Sequence, residues 1–264
     1  MLKLKYKVHA GNGPPLLLVH GFLSSPAQWQ LNLEALARVS TPVTVSLYGH
    51  ADSPSPLDET SYLPENYIVQ FELIRQQTGV EAWFICGYSF GASLTTRYAL
   101  DYPGAILGHI FTNSMSGFSE VAEMGVDPEE IIRRYDEGGI EAVERIPVHP
   151  KNAKRLPPLL AQAIVTDSKR INAAGIGRSL AYTMPASSSA DRIAGNTCPS
   201  LLLHGMKEKR FLAIRNILAN KMPHLEIVDL DAGHGVNMEQ PEAFNEAVVK
   251  FILANQAVPL LNMR

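Results

Sequence analysis

Cysteine is nearly absent from this chain of 264 residues: Cys86 and Cys198 are the only two. That is too few for a disulfide framework or for a zinc site of their own. Both stand in or beside apolar runs, which raise a thiol's pKa, so free, inert thiols are expected. The eight histidines include no close His-x-His or His-x-x-x-His pair, and neither a metal site nor a cofactor is expected from them. Charge of one sign is lacking as well: Lys and Arg number 23 against 26 Asp and Glu, a formal net charge of -3. Nothing in that balance asks for a nucleic acid or an anionic membrane as partner. The opening stretch "MLKLKYKVHA" has lysines but no sustained apolar core or small-residue cleavage site. It is expected to be neither signal peptide nor membrane anchor, which points to a cytoplasmic protein. Internal repeats and low-complexity tracts are missing too. What remains, 46% hydrophobic and 19% charged residues, suits a globular protein with a sizeable core, and a monomer or homodimer is expected.

Short apolar runs alternate with helical patterns. Strands are expected at 15–20, 43–47, 82–86 and 106–112, with helices around 27–38, 64–78 and 91–102 between and after them. That rhythm implies a mostly parallel sheet with helices on both faces. It breaks between about Gly117 and Ala190, where helical segments at 128–137, 139–145 and 156–167 appear without a buried strand. It resumes with strands at 198–205 and 225–231 and a last helix from Pro241 to Ala254. The expected organisation is a core of residues 1–116 and 191–264 with an all-helical lid, 117–190, over the carboxyl edge of the sheet, where open α/β sheets bind ligands. The tail "QAVPLLNMR" carries no signal of its own.

The stretch "FICGYSFGASL" places Ser89 between Gly87 and Gly91, after a buried strand and before a helix that stops ahead of Pro103. A Gly-x-Ser-x-Gly pattern alone is weak, but in this setting it reads as a nucleophile elbow, with glycines allowing a turn so tight that strand and helix nearly touch. A serine hydroxyl needs a base, usually a histidine held by a carboxylate. His9, His109, His149 and His224 lie away from the expected site. His20, His50, His204 and His234 fall at strand ends on the side where Ser89 projects. Of these His234, in the glycine-flanked loop of "DLDAGHGVNMEQPEAF", is the strongest candidate, and the other three are expected to orient loops.

Taken together, "LLLVHGFLSSPAQW", "LYGHADSP", "GYSFGASL" and "LLLHGMKE" followed by "DAGHGVNMEQPEAFNEAVVKFI" resemble the α/β-hydrolase superfamily, in its single-domain esterase, lactonase and C–C-bond hydrolase branch. The resemblance covers nearly the whole chain outside the lid. It implies an α/β-hydrolase fold in which Ser89 is the nucleophile, His234 the base, and the backbone N–H groups of Phe22 and Phe90 the oxyanion hole. The triad acid departs from the pattern: three residues after Gly205 relatives usually carry aspartate, and here stands Glu208. A glutamate can accept the imidazole N–H, but its extra methylene has to be accommodated. Asp231 and Asp52 are other acids nearby, and the loop after Thr112, which holds the acid in some relatives, offers Asn113 and Ser114. Tyr48 and Ala92 are smaller departures.

The expected chemistry is cleavage of a small carboxylic ester, lactone or thioester through an acyl-enzyme. Tyr48, Tyr88, Met115 and Phe118 are candidate pocket residues, with Ile164, Leu180 and Met184 as further apolar candidates from the lid. Lys151, Lys154, Arg155, Lys169, Arg170 and Arg178 make the second half of the lid basic, a feature that suits either an anionic substrate or a solvated charged face. Two other readings stay open. One is a C–C-bond hydrolase or lyase using the same triad, since "HGFLSSPAQW" looks a little like the synthases of this fold that make a menaquinone precursor. Those commonly carry an arginine soon after the elbow, where Ser93 and Leu94 stand here. The other is a non-catalytic receptor.

Overall fold

The computed structural model describes residues 2–119, 127–152 and 156–256. Seven strands form one sheet in the order β1-β3-β2-β4-β5-β6-β7: β1 Tyr6–Val8, β2 Pro15–Val19, β3 Thr41–Val45, β4 Trp83–Gly87, β5 Ile106–Thr112, β6 Ser200–Gly205 and β7 Leu225–Leu230. All neighbouring pairs are parallel except β1 with β3. The helices that follow β2 and β4 leave on opposite faces of the sheet, so the strand order reverses between these two neighbours, and ligands collect at such a switch point.

The central strands are apolar at almost every position because both faces are covered. Alternate side chains of one strand enter different cores. Leu17, Val19, Val43, Val45, Trp83 and Ile85 pack under helices α2 (Pro64–Gln77) and α3 (Phe90–Asp101), against Phe71, Leu94 and Tyr98. On the other face Leu16, Leu18, Phe84, Cys86, Ile110, Leu201 and Leu203 pack against Leu36 of α1 (Leu33–Ala37) and against Phe244, Val248 and Phe251 of α10 (Pro241–Asn255). Both cysteines are free and buried, and burial pushes their thiols upward, Cys198 to about 11.

The six longer strands stand close to their expected places. Strand β1 is an addition: a three-residue edge whose Lys7 points to solvent offers no apolar alternation to read, and lysine on an edge discourages further pairing. Helix α8 (Leu212–Lys221), with Ile214 and Leu218 buried, is a second addition. Between β5 and β6 the described chain is helical: α4 (Met115–Phe118), α5 (Pro128–Glu144), α6 (Pro158–Ser168) and α7 (Ala173–Arg178), followed by a π turn at Ser179–Thr183. Helix α5 spans both segments expected at 128–137 and 139–145; Gly139, at φ 55°, makes the break between them. These helices are tied to the strand layer. The Asn172 N–H donates to the Gly49 carbonyl at 3.0 Å, and Ser25 Oγ donates to Asp167 at 2.6 Å. Buried Arg178 holds Asp136 and the Leu57 carbonyl. No described helix is long and apolar enough to cross a membrane.

Candidate active site

Six parallel strands place their carboxyl ends along one edge, and the chemistry-bearing residues follow them: Phe22 after β2, Ser89 after β4, Asn113 after β5, Glu208 after β6 and His234 after β7. Ser89 sits at φ 53°, ψ -113°, a conformation that costs an L-residue on the order of 1–3 kcal/mol and persists where the surroundings enforce it. The elbow glycines explain how. A Cβ on Gly87 would stand 2.2 Å from Thr95 Oγ1 and 2.5 Å from the Gly91 carbonyl oxygen, and one on Gly91 would stand 2.4 Å from the Val19 carbonyl oxygen. The Ser89 N–H donates to Thr112 Oγ1 at 3.1 Å.

From this turn Ser89 Oγ reaches His234 Nε2 at 2.8 Å, and His234 Nδ1 reaches Glu208 Oε2 at 2.8 Å. A carboxylate can only accept, so the proton sits on Nδ1 and leaves Nε2 as the acceptor for the serine hydroxyl. Asn113 completes the seat of the Glu208 carboxylate. Its Nδ2 donates to the same Glu208 oxygen at 2.7 Å and to the Gly205 carbonyl at 3.2 Å, and its Oδ1 accepts the Gly205 N–H at 3.2 Å. Burial pushes the Glu208 carboxyl upward, but hydrogen bonds from His234 and Asn113 outweigh it and hold the group below the ordinary glutamate value. The extra methylene is thus absorbed by a buried amide on the neighbouring strand end. The other acids stand apart: Asp231 pairs with Lys207 at 3.1 Å and Asp52 with Arg170.

Opposite the elbow, the loop after β2 comes close. A Cβ on Gly21 would lie 3.5 Å from Ser89 Cβ. The backbone N–H groups of Phe22 and Phe90 have no hydrogen-bond partner among the described residues, and the two phenyl rings meet edge to face at 5.7 Å. Two buried histidines hold this loop. His20 Nε2 accepts the Leu47 N–H and His50 Nε2 accepts the Leu23 N–H, both at 3.1 Å. Their Nδ1–H groups donate to the Gly21 and Tyr48 carbonyls, both at 2.8 Å. Leu23, at φ 57°, is held left-handed by this arrangement. His204, the third loop-orienting candidate, bonds Asp229 at 2.7 Å.

The two loop histidines carry a pH dependence. Burial, aided by neighbouring His50, lowers His20 to about 3, and burial lowers His50 to about 4. Below the ordinary value of about 6.5 the unfolded chain binds protons that the folded one refuses, so stability declines as pH falls from there toward the folded values. At pH 5 linkage gives about 2 kcal/mol for each group. Carboxylates held low, such as Glu72 and Asp229, contribute only at lower pH. The urea midpoint is therefore expected to fall between pH 7.5 and pH 5, and His50→Gln to flatten that fall; a midpoint independent of pH over this range contradicts the assignment.

A cleft of about 430 Å³ opens beside His234, walled by Phe22, Leu23, Tyr88, Leu156, Ile164 and Met238, with Glu239 at its edge. The Tyr88 ring lies edge-on to the His234 imidazole at 5.3 Å. Three candidates fall elsewhere. Tyr48 is fully buried between Tyr62 and Tyr67, and its hydroxyl donates to the Leu2 carbonyl, so it is a packed structural residue. Met115 and Phe118 line a separate cavity of about 590 Å³ against α8, because α4 starts directly after β5 and turns its side chains toward that helix. Leu180 packs within the insertion and Met184 against the core under α2. Of the basic residues, Lys151 pairs with Glu144, Arg170 with Asp52 and Asp167, and Arg178 with Asp136. Lys154 and Arg155 lie outside the described residues, as does all but the first residue of the "QAVPLLNMR" tail. Among the described residues no lysine or arginine lines the cleft, and no cluster of His, Cys, Asp and Glu could hold a metal ion.

Nothing in the spacing links Asn113 to Glu208, and Glu239 has no assigned role in the motif around His234 that contains it. The latter had a readable cue, a carboxylate one short helical turn beyond the His234 loop.

A model of the alpha/beta hydrolase family matches residues 16–247. The chain is 26% identical to a putative 2-succinyl-6-hydroxy-2,4-cyclohexadiene-1-carboxylate synthase of Bacillus subtilis, over 94% of this chain and 95% of that protein. Among solved structures it resembles MenH from S. aureus, with a TM-score of 0.80 at 20% identity, covering 95% of this chain and 98% of the other. It also resembles the enol-lactonase of Burkholderia xenovorans, with a TM-score of 0.78 at 19% identity, covering 95% and 96%.

Proposed function

The chain belongs to the alpha/beta hydrolase family, and from that premise we propose that it is a serine hydrolase cleaving a neutral carboxylic ester, lactone or thioester. The observation that carries this reading is the pair of hydrogen bonds joining Ser89 Oγ to His234 Nε2 and His234 Nδ1 to Glu208 Oε2, each 2.8 Å, with the backbone N–H groups of Phe22 and Phe90 left without partners among the described residues. His234 takes the Ser89 proton as Oγ attacks the carbonyl carbon. The negative charge that moves onto the carbonyl oxygen is met by the Phe22 and Phe90 N–H groups, donors fixed before the reaction starts. Glu208 stabilises the imidazolium without taking its proton. The imidazolium then protonates the leaving group, and water attacks the acyl-enzyme by the same route in reverse. Apolar walls formed by Phe22, Leu156, Ile164 and Met238 suit an uncharged acyl group.

A lyase or C–C-bond hydrolase acting on an anionic substrate is the second reading, favoured by similarity to the B. subtilis synthase along almost the full length of both chains. Against it stands the cleft, whose described lining holds the Glu239 carboxylate beside the His234 imidazole and no lysine or arginine. A second carboxylate there finds no cation among the described residues, and burying it unpaired is unfavourable by a few kcal/mol. The two readings separate on paired substrates. A neutral p-nitrophenyl butyrate is expected to turn over with kcat/KM about 100-fold above that of p-nitrophenyl hemisuccinate. Equal or inverted preference sinks the neutral-substrate reading, and rapid conversion of a vinylogous 1,5-diketo acid without ester turnover sinks the hydrolase reading.

A further inference from the structure

The imidazole of His234 has little packing to hold it: its side chain is 42% exposed, and among the described residues its one aromatic neighbour is Tyr88. Both ring nitrogens nevertheless stand at 2.8 Å from their partners. Those two hydrogen bonds aim the ring, and the place from which it reaches both partners is set by the backbone of the loop, where a glycine precedes and a glycine follows the histidine and neither has a side chain to limit rotation.

We infer that Glu239 is the positioning residue for His234. Its Oε2 accepts the Gly233 N–H at 2.9 Å and its Oε1 accepts the Gly235 N–H at 3.2 Å. These amides belong to the residues on either side of His234, so one carboxylate grips the loop immediately before and immediately after the imidazole. The chain returns Glu239 to this place through the short helix α9 (Val236–Glu239), in which the Met238 and Glu239 N–H groups donate to the Gly235 carbonyl at 2.9 and 2.7 Å. Hydrogen bonds to an ionised acceptor are stronger than neutral ones, and two acceptor atoms on one planar group fix the relative rotation of the two peptides they hold. Both oxygens hold backbone donors, so Glu239 serves catalysis through His234, while its charge also borders the cleft. The inference rests on reading His234 as the base for Ser89.

Glu239→Gln tests it. The amide keeps one acceptor but sets its NH2 against a backbone N–H, donor facing donor. Per active site, counted by titration of folded protein, kcat is expected to fall about 10- to 100-fold while KM changes less than about threefold, because misplacing a catalytic group by an ångström has effects of that size. Fluorophosphonate labelling of Ser89 slows by the same factor. Glu239→Asp, which keeps the charge and is one methylene short, retains an intermediate rate and carries the comparison should the glutamine variant not fold. On a His234→Ala background the same substitution changes the residual rate by less than about twofold, since its effect runs through the imidazole. A Glu239→Gln enzyme within twofold of wild type, or one that lowers the His234→Ala residual rate by its full factor, overturns the inference. Labelling of His234→Ala at the wild-type rate points to a different failure, that of the base assignment itself.

Discussion

Turnover of a neutral aryl ester falls by about four to six powers of ten when Ser89 is replaced by alanine, and by a similar amount for His234→Ala, with little further loss in the double variant. The expectation follows from the 2.8 Å contact between Oγ and Nε2. A hydroxyl without its base attacks slowly, and a base without its nucleophile has no proton to take, so the two residues form one unit whose losses do not add. What survives in either variant is the contribution of the Phe22 and Phe90 N–H groups and of substrate binding. Stability is expected to move the other way for Ser89→Gly, because glycine adopts φ 53° without the penalty that serine bears. The check is kcat of purified variants; turnover of Ser89→Ala within a hundredfold of wild type would remove the serine from the mechanism.

The second large effect belongs to Glu208. Glu208→Gln is expected to lower kcat by about three to four powers of ten, because an amide can present an NH2 to Nδ1 and favour the tautomer that protonates Nε2, leaving no acceptor for the serine proton. Glu208→Asp addresses the departure from the usual acid. A shorter side chain gives up reach to the imidazole and the Asn113 donor at 2.7 Å, so the loss is expected to be about 10- to 100-fold. Asn113→Ala should share part of that loss by freeing the carboxylate. A Glu208→Gln enzyme within tenfold of wild type would assign the acid elsewhere, yet Asp231 and Asp52 are engaged with Lys207 and Arg170.

What the sequence made legible follows from which signals are local. Strands β2, β4 and β6 are buried on both faces and so read as unbroken apolar runs, and the elbow is local too, two glycines fixing a turn around Ser89. His234 was readable because glycines flank it after the last strand. Resemblance, not periodicity, indicated Phe22, Phe90 and Glu208. The misplaced residues depend on distant contacts. Tyr48, a pocket candidate by its place before Gly49 and His50, is enclosed by Tyr62, Tyr67 and the Leu2 carbonyl. Met115 and Phe118 follow a strand end at the correct edge, but the direction of α4 turns them to α8. Asn113 supports Glu208 across 95 residues of chain, a pairing that no spacing rule announces. The basic run of the insertion also changed meaning through distant partners: acids on other elements neutralise Arg170 and Arg178.

The central claim is that Ser89 is an activated nucleophile with His234 as its base. Reaction of the purified protein with a small fluorophosphonate, followed by peptide mass mapping, tests it most directly. A single adduct on Ser89 is expected in the wild type, lost or slowed by several powers of ten in His234→Ala. An unlabelled Ser89 in folded protein, or an adduct forming equally fast without His234, would contradict it.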